Sequence, residues 1–188
     1  MNQGRFLSFT GIIEEIEKDS AQGCSDDTLK MRVVAASGSV MNVIVDSKTF
    51  VVDWITLEVG MDCTFWYDAA LPALLIEPPI QRAVVALAEN NNFRVDVSTY
   101  AATGKLPEDE NVFANAAENE METEFVNEEN SLCIRIDDSV QILSENGQHF
   151  LGKLEGRGLV IKYQNSTRSI PARTTPAEII VLNNLTNF

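Results

Sequence analysis

Two stretches decide the interpretation of this chain: VIVDSKTFVV at residues 43–52 and IRIDDSVQIL at residues 134–143. They align without a gap, so that Asp46 falls on Asp137, and apolar residues coincide on both sides of this pair. Self-similarity of this kind is typical of a duplicated structural unit. The alignment therefore predicts that the chain contains two copies of one fold.

Two further matches follow in the same order. LEVGMDCTFWY (57–67) aligns with LEGRGLVIKY (154–163) when one residue is dropped, and EPPIQRAVVAL (77–87) aligns with ARTTPAEIIVL (172–182) at equal length. Each match is weak alone. Three matches in one order favour a tandem duplication.

The local patterns predict short β-strands. Residues 28–46 indicate a hairpin, because apolar and polar residues alternate on both sides of a glycine-bearing turn, and Asn146-Gly147 is a second hairpin signal. The first segment, FTGIIEEIEKD (9–19), reads as a strand, although its isoleucines also fit helical spacing. SLCIRIDDSVQIL (131–143) fits a strand pair or one bent strand.

These patterns predict an all-β protein with two tandem OB-like repeats, each a five-stranded Greek-key barrel. An SH3-like barrel or a split sandwich is the alternative, because the number of strands does not fix topology. A polar break, AENNNF (88–93), suggests a first repeat at 1–90 and a second at 91–188. The second repeat carries an acidic insertion at about 105–130.

The insertion holds nine acids and one lysine. Such a run is typical of a solvated loop or a short helix. Calcium is the alternative ligand, although the segment lacks the spacing of an EF-hand loop.

The charge balance argues against nucleic acid as a partner. The chain has 28 acidic and 14 basic residues, a formal net charge of −14, and such a field repels phosphate backbones. No stretch is long and apolar enough to span a membrane, and the first residues lack the apolar core of a signal peptide. We expect a cytoplasmic protein, or a surface or secreted one if the natural chain begins further upstream.

Residues with catalytic chemistry are sparse. His149 is the only histidine, and Cys24, Cys63 and Cys133 are too scattered for a disulfide framework or a metal site. The cysteines are typical of small apolar fillers in a core. There is no phosphate loop or dinucleotide fingerprint. We therefore expect no catalytic residue, no metal and no cofactor, and a protein that is not an enzyme.

Two groups of residues are candidates for ligand binding. In the linker before the last strand, the guanidinium groups and hydroxyls suit a carboxylate, a phosphate or a sugar, unless the arginines pair with the protein's own acids, for example in the run 118–129. In the first repeat, an aromatic row suits stacking on sugars, unless it packs in the core. The candidates are Arg168, Arg173, Ser166 and Thr174 in the linker, and Trp66 and Tyr67 in an aromatic group that also contains Trp54 and Phe65.

The functional expectation is a non-enzymatic module that binds a protein partner or a small ligand. The alternative is an oligosaccharide- or small-anion-binding protein that uses the aromatic group or the Arg168/Arg173 loop. The matching linker of the first repeat, AALPALLIEPP (69–79), is apolar, which suits burial between the repeats or contact with a partner. A second copy of the chain is one candidate for that partner.

The segment STRSIPARTTPAEIIVL (166–182) also resembles an uncharacterised family of bacterial β-domain proteins. In that family the units occur alone, in tandem, or beside copper-amine-oxidase-like N-terminal domains. The resemblance extends over both repeats and implies a small β-domain. It implies no activity and no catalytic residues.

Overall fold

The described elements are β-strands, apart from one short 3-10 helix at Val52–Trp54. The computed structural model describes residues 4–18, 27–71, 76–89, 92–103 and 123–183. These residues fall into two compact units, one within Arg5–Asn91 and the other within Asn92–Phe188, to which Gly4 also belongs. The prediction of an all-β protein is confirmed.

The first unit contains seven strands in one sheet. Their bounds are β1 Phe6–Lys18, β2 Leu29–Val34, β3 Val40–Val45, β4 Phe50–Val51, β5 Asp62–Asp68, β6 Ile80–Arg82 and β7 Val85–Ala88.

The strand order in this sheet is β4-β7-β5-β1-β2-β3-β6. Neighbours are antiparallel except β3 with β6 and β4 with β7, which are parallel. Only Ala83 and Val84 separate β6 from β7, yet the two segments pair with opposite ends of the series β5-β1-β2-β3. One nearly continuous stretch of chain thus pairs with both β3 and β5.

The second unit also contains seven strands. Their bounds are β8 Arg94–Ala102, β9 Thr123–Asn127, β10 Leu132–Ile136, β11 Gln141–Ser144, β12 Gly158–Tyr163, β13 Ala172–Thr174 and β14 Glu178–Val181. The order β11-β14-β12-β8-β9-β10-β13 repeats that of the first unit strand for strand, with the parallel pairs in the same places.

Turns also recur at matching points. The Asp46 carboxylate accepts the Lys48 amide N–H at 2.9 Å, and the Asp137 carboxylate accepts the Ser139 amide N–H at 2.9 Å. Both aspartates close the same Asx turn after β3 and β10, because a short carboxylate can reach the amide two residues on. This turn explains why the two aspartates align in sequence.

A glycine with positive φ precedes β5 and β12 at equivalent positions. Gly60 (φ 93°) donates its N–H to the Ile13 carbonyl at 2.8 Å, and Gly156 (φ 72°) donates to the Tyr100 carbonyl at 3.3 Å. Both turns need a left-handed residue, which glycine adopts without steric cost. Because the two glycines are equivalent, the residues whose carbonyls accept their N–H groups, Ile13 and Tyr100, are equivalent as well.

The gapless alignment of the two final strands is wrong by two residues. It places Val85 on Ile180, whereas Val85 pairs with Trp66 and Glu178 pairs with the matching residue Lys162. The register therefore makes Glu178 the counterpart of Val85. It also places Pro171 on Pro78, and each follows a cis peptide bond.

Most of the local predictions are confirmed. Residues 28–46 contain the antiparallel pair β2 and β3, and residues 9–19 lie mainly in strand β1 rather than in a helix. Asn146-Gly147 forms a tight turn in which the Ser144 N–H donates to the Gln148 carbonyl at 2.8 Å. Residues 131–143 form two strands, β10 and β11, with different partners. Most of the acidic insertion lies outside the described residues, between β8 and β9.

Each unit has its own apolar core. The first is built from alternate residues of β1, β2, β3 and β5 with β7, and its central side chains include Ile13, Val33 and Phe65. The second is built in the same way around Tyr100, Ile134 and Ile161. Alternation places these side chains on one face of each strand, as a half-buried sheet requires.

Candidate ligand-binding site

The loop between β12 and β13, residues 164–171, is held by its own hydroxyl groups. The Thr167 hydroxyl accepts the Arg173 amide N–H at 2.8 Å and lies 2.7 Å from the Ser169 hydroxyl. Ser169 in turn donates to the Pro171 carbonyl at 2.8 Å. These bonds replace the hydrogen bonds that an irregular segment would otherwise leave to water. The conformation of the loop is therefore fixed by these hydrogen bonds.

Arg168 and Ile170 are exposed on loop 164–171. Arg168 is exposed and makes no hydrogen bond or ion pair with the described residues, and Ile170 is 93% exposed. A guanidinium without a partner beside an apolar tip can contact both the charge and the apolar surface of a ligand.

Arg173 lies next to this loop on β13 and is already paired. Its Nη1 donates to Glu124 Oε1 at 2.7 Å, and the guanidinium side chain remains 58% exposed. The strand register explains the pair, because β10 lies between β9 and β13 and brings their outward side chains to adjacent positions. An acid from the run 118–129 thus does pair with one of the candidate arginines.

Cys133 lies under this ion pair. Its Sγ is 3.9 Å from Glu124 Oε2, and Cys133 is the β10 partner of Arg173. Burial, and then the negative charge of Glu124, raise the pKa of the Cys133 thiol, while Arg173 acts in the opposite direction. The thiol is therefore held in its neutral form. We use the term arginine face for Glu124, Cys133, Arg135 and Arg173 together with loop 164–171.

The other predicted site residues are less accessible than Arg168 and belong to both units. Thr174 is buried and donates its hydroxyl to the Asn165 carbonyl at 2.6 Å, and Ser166 is half-buried. Trp66 and Tyr67 belong to the first unit and point to opposite sides of β5. Tyr67 packs against the first core, whereas Trp66 is buried on the other side.

The remaining aromatic residues of the predicted group are separated as well. Phe65 lies in the first core, whereas Trp54 lies on the short 3-10 helix and packs edge-on against Phe50, with ring centroids 5.7 Å apart. Phe65 and Tyr67 share the core side of β5, and Trp66 lies on the other side.

Sequence reasoning missed a polar cluster at the second core, in which Tyr100 and Asn127 are buried and Asp96 is half-buried. The Tyr100 hydroxyl donates to Asp96 Oδ2 at 2.6 Å, and Asn127 also hydrogen-bonds this carboxylate. Burial raises the pKa of Asp96, although both hydrogen bonds act in the opposite direction. Burial and the nearby Asp96 charge also raise the pKa of Tyr100 and Tyr163.

The first unit has apolar residues at the equivalent positions. Ile161 lies between Asp96 and Ile179 in the sheet, as Phe65 lies between Phe9 and Ala86, so that Asp96 replaces Phe9.

Two further replacements complete the cluster. Tyr100 pairs with Asn127 as Ile13 pairs with Val33, so that Tyr100 and Asn127 replace Ile13 and Val33. Each of these residues looks like an ordinary strand residue in the sequence.

The other reactive side chains are isolated. His149 is exposed and makes no hydrogen bond to the described residues, and within the described ranges no three His, Cys, Asp or Glu side chains are grouped as a metal site would require. Cys63 is buried in the first core, where burial raises its pKa to about 11. The prediction of cysteines as core fillers is confirmed for Cys63, whereas Cys133 is buried but is not part of the second core, and Cys24 lies outside the described residues.

None of the described residues forms a helix long and apolar enough to cross a bilayer. Comparison with family models, with curated proteins and with solved structures finds no match to this chain.

Proposed function

We propose that the chain is a non-enzymatic binding module made of two OB-like barrels, and that the arginine face of the second unit binds a carboxylate- or phosphate-bearing ligand. The barrel interpretation rests on the strand pairings. The ends of the series β5-β1-β2-β3 share one stretch of chain, β6 with β7, as the fifth strand of such a barrel would require. The parallel pair β3 with β6 fits the same topology.

The position of the arginine face follows from this barrel. In OB barrels, the second and third strands and the loops after the first and fourth strands carry the ligand site. In the second unit those strands are β9 and β10, and the loop after the fourth strand is 164–171. The loop after the first strand is the acidic insertion.

The exposed Arg168 without a described partner is the observation that carries the proposal. A planar guanidinium matches the two oxygens of a carboxylate or phosphate. Arg173 adds a second guanidinium when the ligand displaces Glu124. The net charge of −14 disfavours long polyanions, so we expect a compact anion or an acidic side chain of a partner.

The proposal is tested by titrating the full chain with citrate and with inorganic phosphate, followed through the NMR signals of the arginine Nε–H groups. We expect Arg168→Ala and Arg173→Ala each to weaken binding roughly 10- to 150-fold, since a charged hydrogen bond contributes about 1.5–3 kcal/mol. Glu124→Gln removes the internal competitor and should strengthen binding.

Matched controls in the first unit separate the site from overall charge. Arg32 on β2 forms an ion pair with Glu14 on β1 at 3.3 Å. Arg32→Ala changes the net charge by the same amount as Arg168→Ala or Arg173→Ala, and Glu14→Gln by the same amount as Glu124→Gln. If these controls alter anion affinity as much as the variants of the arginine face, the proposed site is wrong. Unchanged binding in Arg168→Ala would also exclude it.

The resemblance to tandem bacterial β-domains is consistent with a binding module and stays a sequence-based prediction. The exposed Ile170 favours an anionic group carried by a protein partner over a free small anion, because only the larger molecule would also cover the Ile170 side chain.

A further inference from the structure

Trp54 is the largest of the exposed apolar side chains in the described part of the chain. It is 69% exposed, although the residues around it are well anchored. Val52 is buried, Leu57 packs against the first core, and Phe50 pairs with Val85 in the sheet. The exposure of Trp54 is thus imposed by its surroundings.

The backbone that presents Trp54 is strained. Asp53 has φ 58° and Trp54 has φ 54°, so that two consecutive non-glycine residues adopt the left-handed conformation. An aspartate tolerates this region, but it is unusual for a bulky aromatic residue. Strain of this kind persists where neighbouring structure enforces it, and it concentrates at functional positions. A glycine here would remove the strain and the indole together.

The segment around Trp54 is uniformly acidic in sequence. Between Lys48 and Arg82 there is no lysine, arginine or histidine. The same segment contains four exposed acids, Asp53, Glu58, Asp62 and Glu77, besides Asp68, which is buried and already paired with Arg5 at 2.7 Å. The whole chain carries a formal net charge of −14, and such a field concentrates cations near its surface.

We propose that Trp54 is a cation–π site for an organic cation, such as a quaternary ammonium group or a methylated lysine side chain. Tryptophan gives the strongest attraction of the aromatic side chains to a cation over its ring face. The Phe50 ring packs against the indole at an interplanar angle of 82°. The acidic segment supplies the long-range attraction. This site lies in the first unit and is independent of the arginine face.

The test is a titration of the full-length protein with choline chloride, followed by two-dimensional NMR of the two indole N–H groups. Trp54 and the buried Trp66 give separate signals, so that Trp66 serves as an internal control. We expect choline to shift the Trp54 signal and to leave Trp66 unchanged. The neutral isostere 3,3-dimethyl-1-butanol should bind about 2- to 5-fold more weakly, which is the range that a cation–π contact at an exposed site provides.

Two substitutions make the test specific. Trp54→Leu keeps an exposed apolar side chain but removes the ring, and it should abolish the preference for choline over the isostere. Trp54→Phe should retain part of it. Because residue 54 is exposed, both variants are expected to fold, and circular dichroism verifies this.

Three results would overturn the proposal. The first is equal binding of choline and its isostere, and the second is an unchanged preference in Trp54→Leu. The third is a shift of the Trp54 signal by maltohexaose as large as that caused by choline, which would indicate a sugar-stacking site instead.

Discussion

Replacing Asp96 by asparagine should change how the stability of the second unit depends on pH. Burial favours the neutral carboxyl, so the folded-state pKa of Asp96 lies above its value in the unfolded chain. A group of this kind contributes stability that is fully present below the unfolded pKa, about 3.9 for aspartate. That contribution is lost as the pH rises through the folded-state pKa.

The magnitude follows from proton linkage. In the window between the two pKa values, the folded unit binds up to one proton more than the unfolded chain. Its stability therefore falls by at most about 1.4 kcal/mol per pH unit. The Asp96→Asn substitution keeps the size of the side chain and an oxygen for the Tyr100 hydroxyl, but the new amide does not titrate. We expect this variant to lose the slope.

Hydrogen exchange of the full chain, measured by mass spectrometry between about pH 4.5 and pH 8 and corrected for intrinsic exchange rates, provides the assay. Peptides covering β12 report on the second unit and peptides covering β5 on the first. Tyr100→Phe is a companion variant, because loss of the donor at 2.6 Å should destabilise the second unit by about 1.5–3 kcal/mol at neutral pH. Equal pH slopes of the β12 peptides in wild type and Asp96→Asn would refute the reasoning.

Three further predictions concern other positions. Gly11→Ala should destabilise the first unit by about 2–3 kcal/mol in denaturant unfolding, because an added Cβ would overlap the Val34 carbonyl oxygen. Glu124→Gln should lower the pKa of Cys133 and speed its alkylation, measured as a pH–rate profile in a Cys24→Ser background. Asp137→Ala should weaken the second unit at neutral pH and flatten its acid denaturation, because the Ser139 hydrogen bonds lower the Asp137 pKa and their contribution is lost as pH falls.

Each of these variants has a control. Gly38→Ala meets no atom within 4 Å, so its cost should be limited to about 1–2 kcal/mol for its φ of 84°, less than that of the overlap at Gly11. The alkylation rate of Cys63 should not respond to Glu124→Gln, and Asp138→Ala, which removes the same charge at the neighbouring position, is the charge-matched control for Asp137→Ala. A similar cost at both glycines, a parallel change at Cys63, or an equal effect at both aspartates would contradict the corresponding prediction.

The duplication and the β class could be predicted because their signals are local. Alternating side chains, the Asx turn at Asp46 and Asp137, and the Asn146-Gly147 turn each act within a few residues. The alignment of the last strands failed for a physical reason. A shift of two residues keeps every side chain on the same face of a strand, so the apolar pattern of β7 and β14 fits both registers.

The polar cluster and the arginine face depend on contacts distant in sequence. Asp96 lies before the acidic insertion and Asn127 lies near its end. Glu124 contacts Arg173 because β10 lies between their strands and pairs with both. The sequence left open whether an arginine of the linker pairs with an acid of the chain, because no local pattern distinguishes one of the many acidic residues as its partner. The strand register brings one of these acids, Glu124, next to Arg173.

The polar cluster has a consequence for how two copies of one fold share a chain. Tandem domains with the same topology risk exchanging strands during synthesis, a common route to misassembly. If β8 took the place of β1, Asp96 would enter a core formed around Val33 and Phe65, without Asn127 to hydrogen-bond its carboxylate. An uncompensated buried carboxylate is strongly unfavourable. The replacement of Phe9, Ile13 and Val33 in one copy thus gives each strand a preference for its own partners.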